Sequence, residues 1–176
     1  MFTISRFQLL VYMLVAGIML SACGNTEDPR VAYEAGDYET AFALWQSAAE
    51  TGDTEAQNAL GTLYYLGLGR GRDYRKALQW FEAAASQGHP GAQRNAAMIY
   101  LDGMGIPQDF YSAYVWLYAS FHQGNESADR YIDSMVSKLT PNQQIKARAD
   151  AQRYIVNPVD VEELQLQSTV QIDNEN

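Results

Sequence analysis

Apolar residues in the middle of the chain recur at spacings of three and four. Over residues 55–66, Ala56, Ala59, Leu60, Leu63 and Tyr64 fall on one helical face, the mark of an amphipathic helix with one buried stripe. The glycine-rich stretch 67–71 stops that helix. Asp73 stands where its side chain can accept the free N–H groups of a second helix, whose stripe is Ala77, Trp80, Phe81 and Ala84. Gly88 then closes it as a residue suited to the left-handed conformation. A pair of helices joined by a glycine turn is therefore predicted over 53–88.

The pattern returns at an offset of 36 residues. Ala56 maps to Ala92, Gly67 to Gly103, Gly69 to Gly105, Asp73 to Asp109, Ala77 to Ala113, Trp80 to Trp116 and Gly88 to Gly124. The offset also runs backwards, from Asp73, Tyr74 and Ala77 to Asp37, Tyr38 and Ala41, and forwards, from Ala92 to Ala128. A second pair is expected over 89–124 and a partial one over 37–52, with at most a short first helix before it. One pair cannot bury its own faces, so stacked pairs share a continuous core. Gly67, Gly69, Gly88, Gly103, Gly105 and Gly124 are read as the structural turns. Thr140-Pro141-Asn142-Gln143 has the form of a capping box with proline in the first turn. Ala147, Ala151, Tyr154 and Ile155 extend an apolar stripe beyond it. Capping helices over 125–156 are the consequence, in an all-α solenoid spanning 31–156.

These residues resemble the Sel-one-like repeat family, relatives of the tetratricopeptide repeat. The strongest stretch is Gly103-Met104-Gly105-Ile106-Pro107-Gln108-Asp109-Phe110. The resemblance extends over 31–138 and implies a short α-solenoid that mediates protein–protein contacts. It is specific for the fold and says little about the partner.

The N-terminus follows a different rule. Residues 1–22 carry one charge, Arg6, then an apolar run over 7–20 broken only by Gln8 and Gly17, then Ser21 and Ala22. The run is shorter than the roughly 20 apolar residues that span a bilayer and has the layout of a secretory signal peptide. A short membrane anchor is the alternative. Leu20-Ser21-Ala22-Cys23 resembles the bacterial lipoprotein signal, which implies that Cys23 carries a covalent lipid, palmitate among its chains. Gly24 follows rather than the aspartate that marks inner-membrane retention, so the resemblance implies an outer-membrane anchor with the domain facing the periplasm. A free cysteine after an ordinary signal, or a buried thiol, is the competing interpretation. Residues 23–30 read as the lipidated end and a polar spacer.

Composition narrows the function. With 47% hydrophobic and 19% charged residues among 176, the chain is globular. A net charge of −9 argues against nucleic acid, which needs a basic footprint. About half of that negative excess lies in residues 157–176, which hold Asp160, Glu162, Glu163, Asp173 and Glu175 with no basic residue or aromatic. This composition predicts a disordered tail, and an acidic partner-binding element is its functional alternative. One cysteine leaves no internal disulfide or cysteine metal cluster. His89 and His122 sit in different repeats without a ligand pattern, so no metal and no cofactor beyond the lipid are expected. Neither a Gly-x-Ser-x-Gly nor a His-Glu-x-x-His nor a Walker pattern occurs. No catalytic residue is assigned.

Two surfaces remain. Residues beside the apolar stripes of the first helices (Glu55, Asn58, Thr62 and Tyr65, then Arg94, Met98 and Leu101, then Arg130 and Ser134) form a candidate peptide groove. Arg70, Arg72, Arg75 and Lys76 cluster in one turn and the start of its helix, where the next repeat has no basic residue. They are a candidate basic spot for an acidic segment or lipid phosphates, or else a solvated loop. The expected function is a non-catalytic, membrane-anchored scaffold that binds one or more envelope proteins. A structural envelope lipoprotein touching peptidoglycan or exported polysaccharide is the rival.

Overall fold

The computed structural model describes residues 28–155. The predicted signal segment, Cys23 and the acidic tail 157–176 lie outside the described residues. Within them the chain forms eight α-helices and no strand. They are α1 Pro29–Glu34, α2 Tyr38–Glu50, α3 Thr54–Leu66, α4 Tyr74–Ser86, α5 Pro90–Asp102, α6 Phe110–His122, α7 Asp129–Val136 and α8 Pro141–Ala151. Short 3-10 turns, Glu126–Ala128 and Gln152–Tyr154, precede α7 and follow α8. No described helix is long and apolar enough to cross a membrane.

Local chemistry sets the helix ends. Asp37, Asp53, Asp73 and Asp109 each accept backbone N–H bonds from the first turn of the helix that follows. Thr140 and Gln143 complete a capping box at α8, with Pro141 in its first turn. All six glycines expected at turns have positive φ. Gly69 and Gly105 need it most. A Cβ on Gly69 would run into the Tyr38 carbonyl, and one on Gly105 would meet Tyr74 Cβ at 3.1 Å. Each turn thus lies on the first residue of the second helix of the preceding pair. Backbone-to-helix contact at this distance leaves no room for a side chain.

Helices pack in chain order, α1 on α2, α2 on α3, and so on to α6. Alanines make the close contacts. Ala77, Ala84, Ala92, Ala96, Ala113 and Ala119 have no exposed surface. Larger groups fill the spaces between them. Phe81 in α4 lies over Gly61 in α3, where an added Cβ would come within 2.6 Å of the ring. One repeat later the same two positions hold Leu117 and Ala97, both fully buried. The smaller ring-side residue is matched by the larger helix-face residue, so the volume is conserved.

The two ends of the stack differ from its middle. The first helix starts at Pro29, inside the stretch 23–30 read as spacer, because Asp28 caps it through Arg30 N–H and Pro29 favours a first turn. It is only six residues long. Trp45 in α2 occupies the position of Phe81 and Leu117 but is only partly buried, covered from α1 by the Tyr33 ring with centroids 5.6 Å apart. It borders a cavity of about 640 Å³ with Ala48, Ala56 and Ala59. At the other end, α8 packs directly against α6. Tyr154 tilts onto Trp116 with ring centroids 4.5 Å apart, and Ala147, Ala151 and Ile155 join the core.

Candidate functional site

The first helices of two successive pairs, α3 and α5, border a cavity of about 310 Å³. Thr62, Tyr65 and Leu66 come from α3, and Arg94, Asn95 and Met98 from α5. Phe81 of α4 forms the floor. Spacings of three and four residues along each helix bring these side chains to one opening. Asn95 Nδ2 donates to Asn58 Oδ1 at 3.2 Å across the rim, and the Thr62 hydroxyl donates to the Asn58 carbonyl at 2.9 Å. The Arg94 Nε is buried and has no hydrogen-bond partner. Apolar walls, a few fixed polar groups and one half-buried guanidinium with an unpaired Nε suit an extended acidic or polar segment.

Thr62, Tyr65, Arg94 and Met98 of the sequence-predicted groove thus line one cavity, with Asn58 at its rim. Leu66, Phe81 and Asn95 complete it. The other four expected residues lie elsewhere. Glu55 faces the N-terminal cavity and pairs with His89 Nε2 at 3.2 Å. Leu101 packs against the main core. Arg130 and Ser134 are exposed on α7, and Ser134 bonds back to the Tyr131 carbonyl. The helix that carries them, α7, is only eight residues long, and neither residue lines the cavity between α3 and α5.

Each member of the basic segment has its own partner inside the chain. Arg70 lies over the Phe42 ring at 5.2 Å, and Arg72 over Tyr74 at 5.9 Å. Arg75 Nε donates to the Gly105 carbonyl at 2.8 Å, which ties the start of α4 to the next turn. Lys76 sits 3.8 Å from Asp73 and over the Tyr64 ring. Of the four side chains, only Arg75 has a hydrogen-bonded carboxylate or carbonyl among the described residues, and Arg72 donates to the Tyr74 hydroxyl at 3.3 Å.

The structure also shows roles that sequence reasoning missed. His89 caps α5, with Nδ1 accepting from Ala92 N–H at 3.0 Å. It stands one repeat after Asp53, which caps α3 in the same way through Ala56 N–H. The matched position was the available signal. A third cavity, about 250 Å³, lies by Tyr100, Tyr111, Trp116, Asp150 and Tyr154. There the Tyr100 hydroxyl donates to Glu82 at 2.7 Å and the Tyr111 hydroxyl to Asp150 at 2.5 Å. Burial, and then these carboxylates, raise both phenols, Tyr111 to about 12. They are neutral donors far from the range useful for acid–base catalysis at neutral pH. His122 is shifted the other way, lowered first by burial and then by the Arg148 guanidinium. Among the described residues no group of three histidine, cysteine, aspartate or glutamate side chains is arranged to hold a metal ion.

The glycine-turned helix pairs have recognisable relatives. A protective antigen of uropathogenic Escherichia coli that displays an SLR fold matches with a TM-score of 0.68 at 24% identity, over 93% of this chain and 36% of the antigen. A Sel1 repeat protein from Oxalobacter formigenes matches with a TM-score of 0.56 at 22% identity, over 78% of this chain and 63% of that one. The chain therefore spans about a third of the first and under two thirds of the second, and the likeness concerns the fold. No curated protein matches by sequence. The family model described as the Sel1 repeat matches residues 30–53, 54–89 and 90–125. These are the three helix pairs built on Asp37, Asp73 and Asp109, they cover more than half of the chain, and the protein belongs to the Sel1 repeat family.

Proposed function

We propose that this protein is a lipid-anchored scaffold of the bacterial envelope, held to the outer membrane through Cys23, whose solenoid binds an extended segment of a periplasmic protein. Sel1 repeat proteins generally mediate protein–protein interactions on a non-catalytic scaffold, and the present chain acts without chemistry of its own. The observation that carries the reading is the groove between α3 and α5, where Thr62, Tyr65, Arg94 and Met98 surround one opening. The Leu20-Ser21-Ala22-Cys23 sequence supports the anchor. Stable anchoring takes more than one acyl chain, which a lipidated N-terminal cysteine supplies.

Two experiments test this. A photo-reactive residue at Met98 in the groove, with Gln79 on the exposed side of α4 as control, is irradiated in intact cells. A discrete protein adduct at Met98 and none at Gln79 supports the scaffold and identifies its partner. Adducts of equal yield at both sites count against the groove. Separately, Cys23→Ala should move the protein from the membrane fraction to the soluble periplasm, and unchanged membrane association would overturn the anchor.

A further inference from the structure

We propose that the chain's own acidic C-terminal segment, residues 156–176, occupies the groove between α3 and α5, with a carboxylate of Asp160, Glu162 or Glu163 on Arg94. This rests on the groove being a peptide-binding site, as proposed above. It adds a built-in competitor that an outside partner must displace.

Charge is the first ground. Arg94 brings a permanent cation to the cavity, and its Nε is buried without a partner. No carboxylate of the described residues lies within 4 Å of its guanidinium. A buried N–H left unpaired is costly, and a carboxylate is the geometric match for a guanidinium. Glu55, on the same helix as Thr62 and Tyr65, is directed to His89 instead. The segment 156–176 supplies Asp160, Glu162, Glu163, Asp173 and Glu175 and no basic residue.

The side-chain pattern is the second ground. Val159, Asp160, Val161 and Glu162 alternate apolar with acidic, and Leu164, Gln165, Leu166 and Gln167 alternate apolar with polar. In an extended segment, alternate residues point to opposite sides. One side then meets the apolar lining of Leu66, Phe81 and Met98 while a flanking carboxylate reaches the rim. Pro158 also favours extended backbone at the residue before it.

The third ground is where the described chain ends. The Tyr154 carbonyl accepts from Gln93 Nε2 at 2.9 Å and from Gln123 Nε2 at 3.1 Å. Gln93 is the residue before Arg94 in α5. Successive helical residues point about 100° apart, so the segment must pass around the first turns of α5, a path of about one helix diameter, ~10 Å. Residues 156–160 span up to ~17 Å when extended, which brings Asp160 within reach of Arg94. A tethered segment of this length acts at an effective concentration on the order of millimolar.

The test uses the full chain with benzoylphenylalanine at Met98, irradiated at low protein concentration and mapped by mass spectrometry after tryptic digestion. The expected product is a monomer cross-linked to the peptide that follows Arg153. Its yield should fall at least about fivefold in the triple variant Asp160→Asn, Glu162→Gln, Glu163→Gln, and likewise with Arg94→Gln. No cross-link to this peptide overturns the proposal. Cross-linked dimers in place of monomers also overturn it, because the occupant is then a second copy. In cells, the triple variant should raise the yield of any foreign adduct at Met98 by a similar factor. A foreign adduct unaffected by the triple variant, with no cross-link to the tail, sinks the tail proposal and leaves the scaffold reading standing. A tail cross-link with no foreign adduct in either form supports the tail proposal and removes the groove's role for an outside partner.

Discussion

Gln123 donates its side-chain amide to Gln93 Oε1 at 2.9 Å, and one repeat earlier Gln87 donates to Gln57 Oε1 at 2.8 Å. Each acceptor glutamine in turn donates to the end of the preceding pair, Gln93 to the Ala85 carbonyl and Gln57 to the Ala49 carbonyl. Gln57 and Gln93 are both buried. The clasp thus joins the second helix of one pair, the first helix of the next and that pair's own second helix, and it adds a second donor to carbonyls that already accept Gly88 N–H and Gly52 N–H at the helix ends. Gln93 carries an additional bond, to the Tyr154 carbonyl, which fastens the C-terminal cap.

Gln93→Leu should therefore destabilise the chain by about 1–3 kcal/mol, the usual cost of leaving buried polar partners unmet. Gln57→Leu should cost less, because its amide serves no cap residue. Urea unfolding followed by circular dichroism measures both. Equal stability of Gln93→Leu and the parent would show that the clasp contributes nothing.

The turns make a prediction with an internal control. Gly69→Ala should cost roughly 1–3 kcal/mol, since φ is +69° and a Cβ would collide with the Tyr38 carbonyl. Gly71 lies two residues on, has no positive φ and meets nothing within 4 Å. Gly71→Ala should be close to neutral. Gly103→Val should cost on the order of 1 kcal/mol or more for its positive φ. Thermal unfolding of the three variants tests the assignment, and a Gly69→Ala midpoint as high as that of Gly71→Ala would refute it.

The helix pairs were legible because small residues, caps and glycines repeat at one offset, and each has a local physical meaning. Asp73 as cap and Gly103 as turn need no knowledge of tertiary contacts. The groove was only partly legible. Thr62, Tyr65, Arg94 and Met98 follow from continuing the repeat, but Arg130 and Ser134 come from carrying the row of first helices into the capping region. The stripe of Ala147, Ala151, Tyr154 and Ile155 announces a capping helix, but that this helix lies on α6 is a matter of non-local packing that no periodicity specifies. The glutamine clasp was missed because a lone polar residue on an amphipathic helix reads as surface. Yet Gln57 and Gln93 share the repeat offset with Gln87 and Gln123, so the signal was present.

His122 gives a pH prediction with a definite sign. It is half buried and lies tilted against Tyr118 with ring centroids 4.3 Å apart. Burial and Arg148 lower its pKa in the folded chain. Above about pH 6.5, the ordinary histidine value, neither state is protonated and His122 contributes nothing. As pH falls below that value the unfolded chain binds the proton first, so stability declines until the folded pKa is passed. Chemical denaturation at pH steps between about 7.5 and 5 should show this slope in the parent and a shallower one in His122→Gln. Identical slopes would remove His122 as the cause.

The exchange between Phe81–Gly61 and Leu117–Ala97 can be tested by moving one pair into the place of the other. Alanine favours a helix over glycine by about 1 kcal/mol, so Gly61→Ala would stabilise an open site. Here its Cβ would lie 2.6 Å from a ring that is itself only 2% exposed. The ring must move, and overpacking of this kind costs typically 1–3 kcal/mol. Gly61→Ala should therefore be destabilising despite its helix propensity. Phe81→Leu alone should also destabilise, because it leaves a void against a residue with no side chain. Together the two reproduce the second repeat's own combination, in which Ala97 and Leu117 are fully buried. The double variant should be more stable than the sum of the single changes predicts, by a coupling of about 0.5–3 kcal/mol. Equilibrium denaturation of the four proteins completes the cycle. Strict additivity would mean that the two positions do not trade volume and that the repeats carry different cores for another reason.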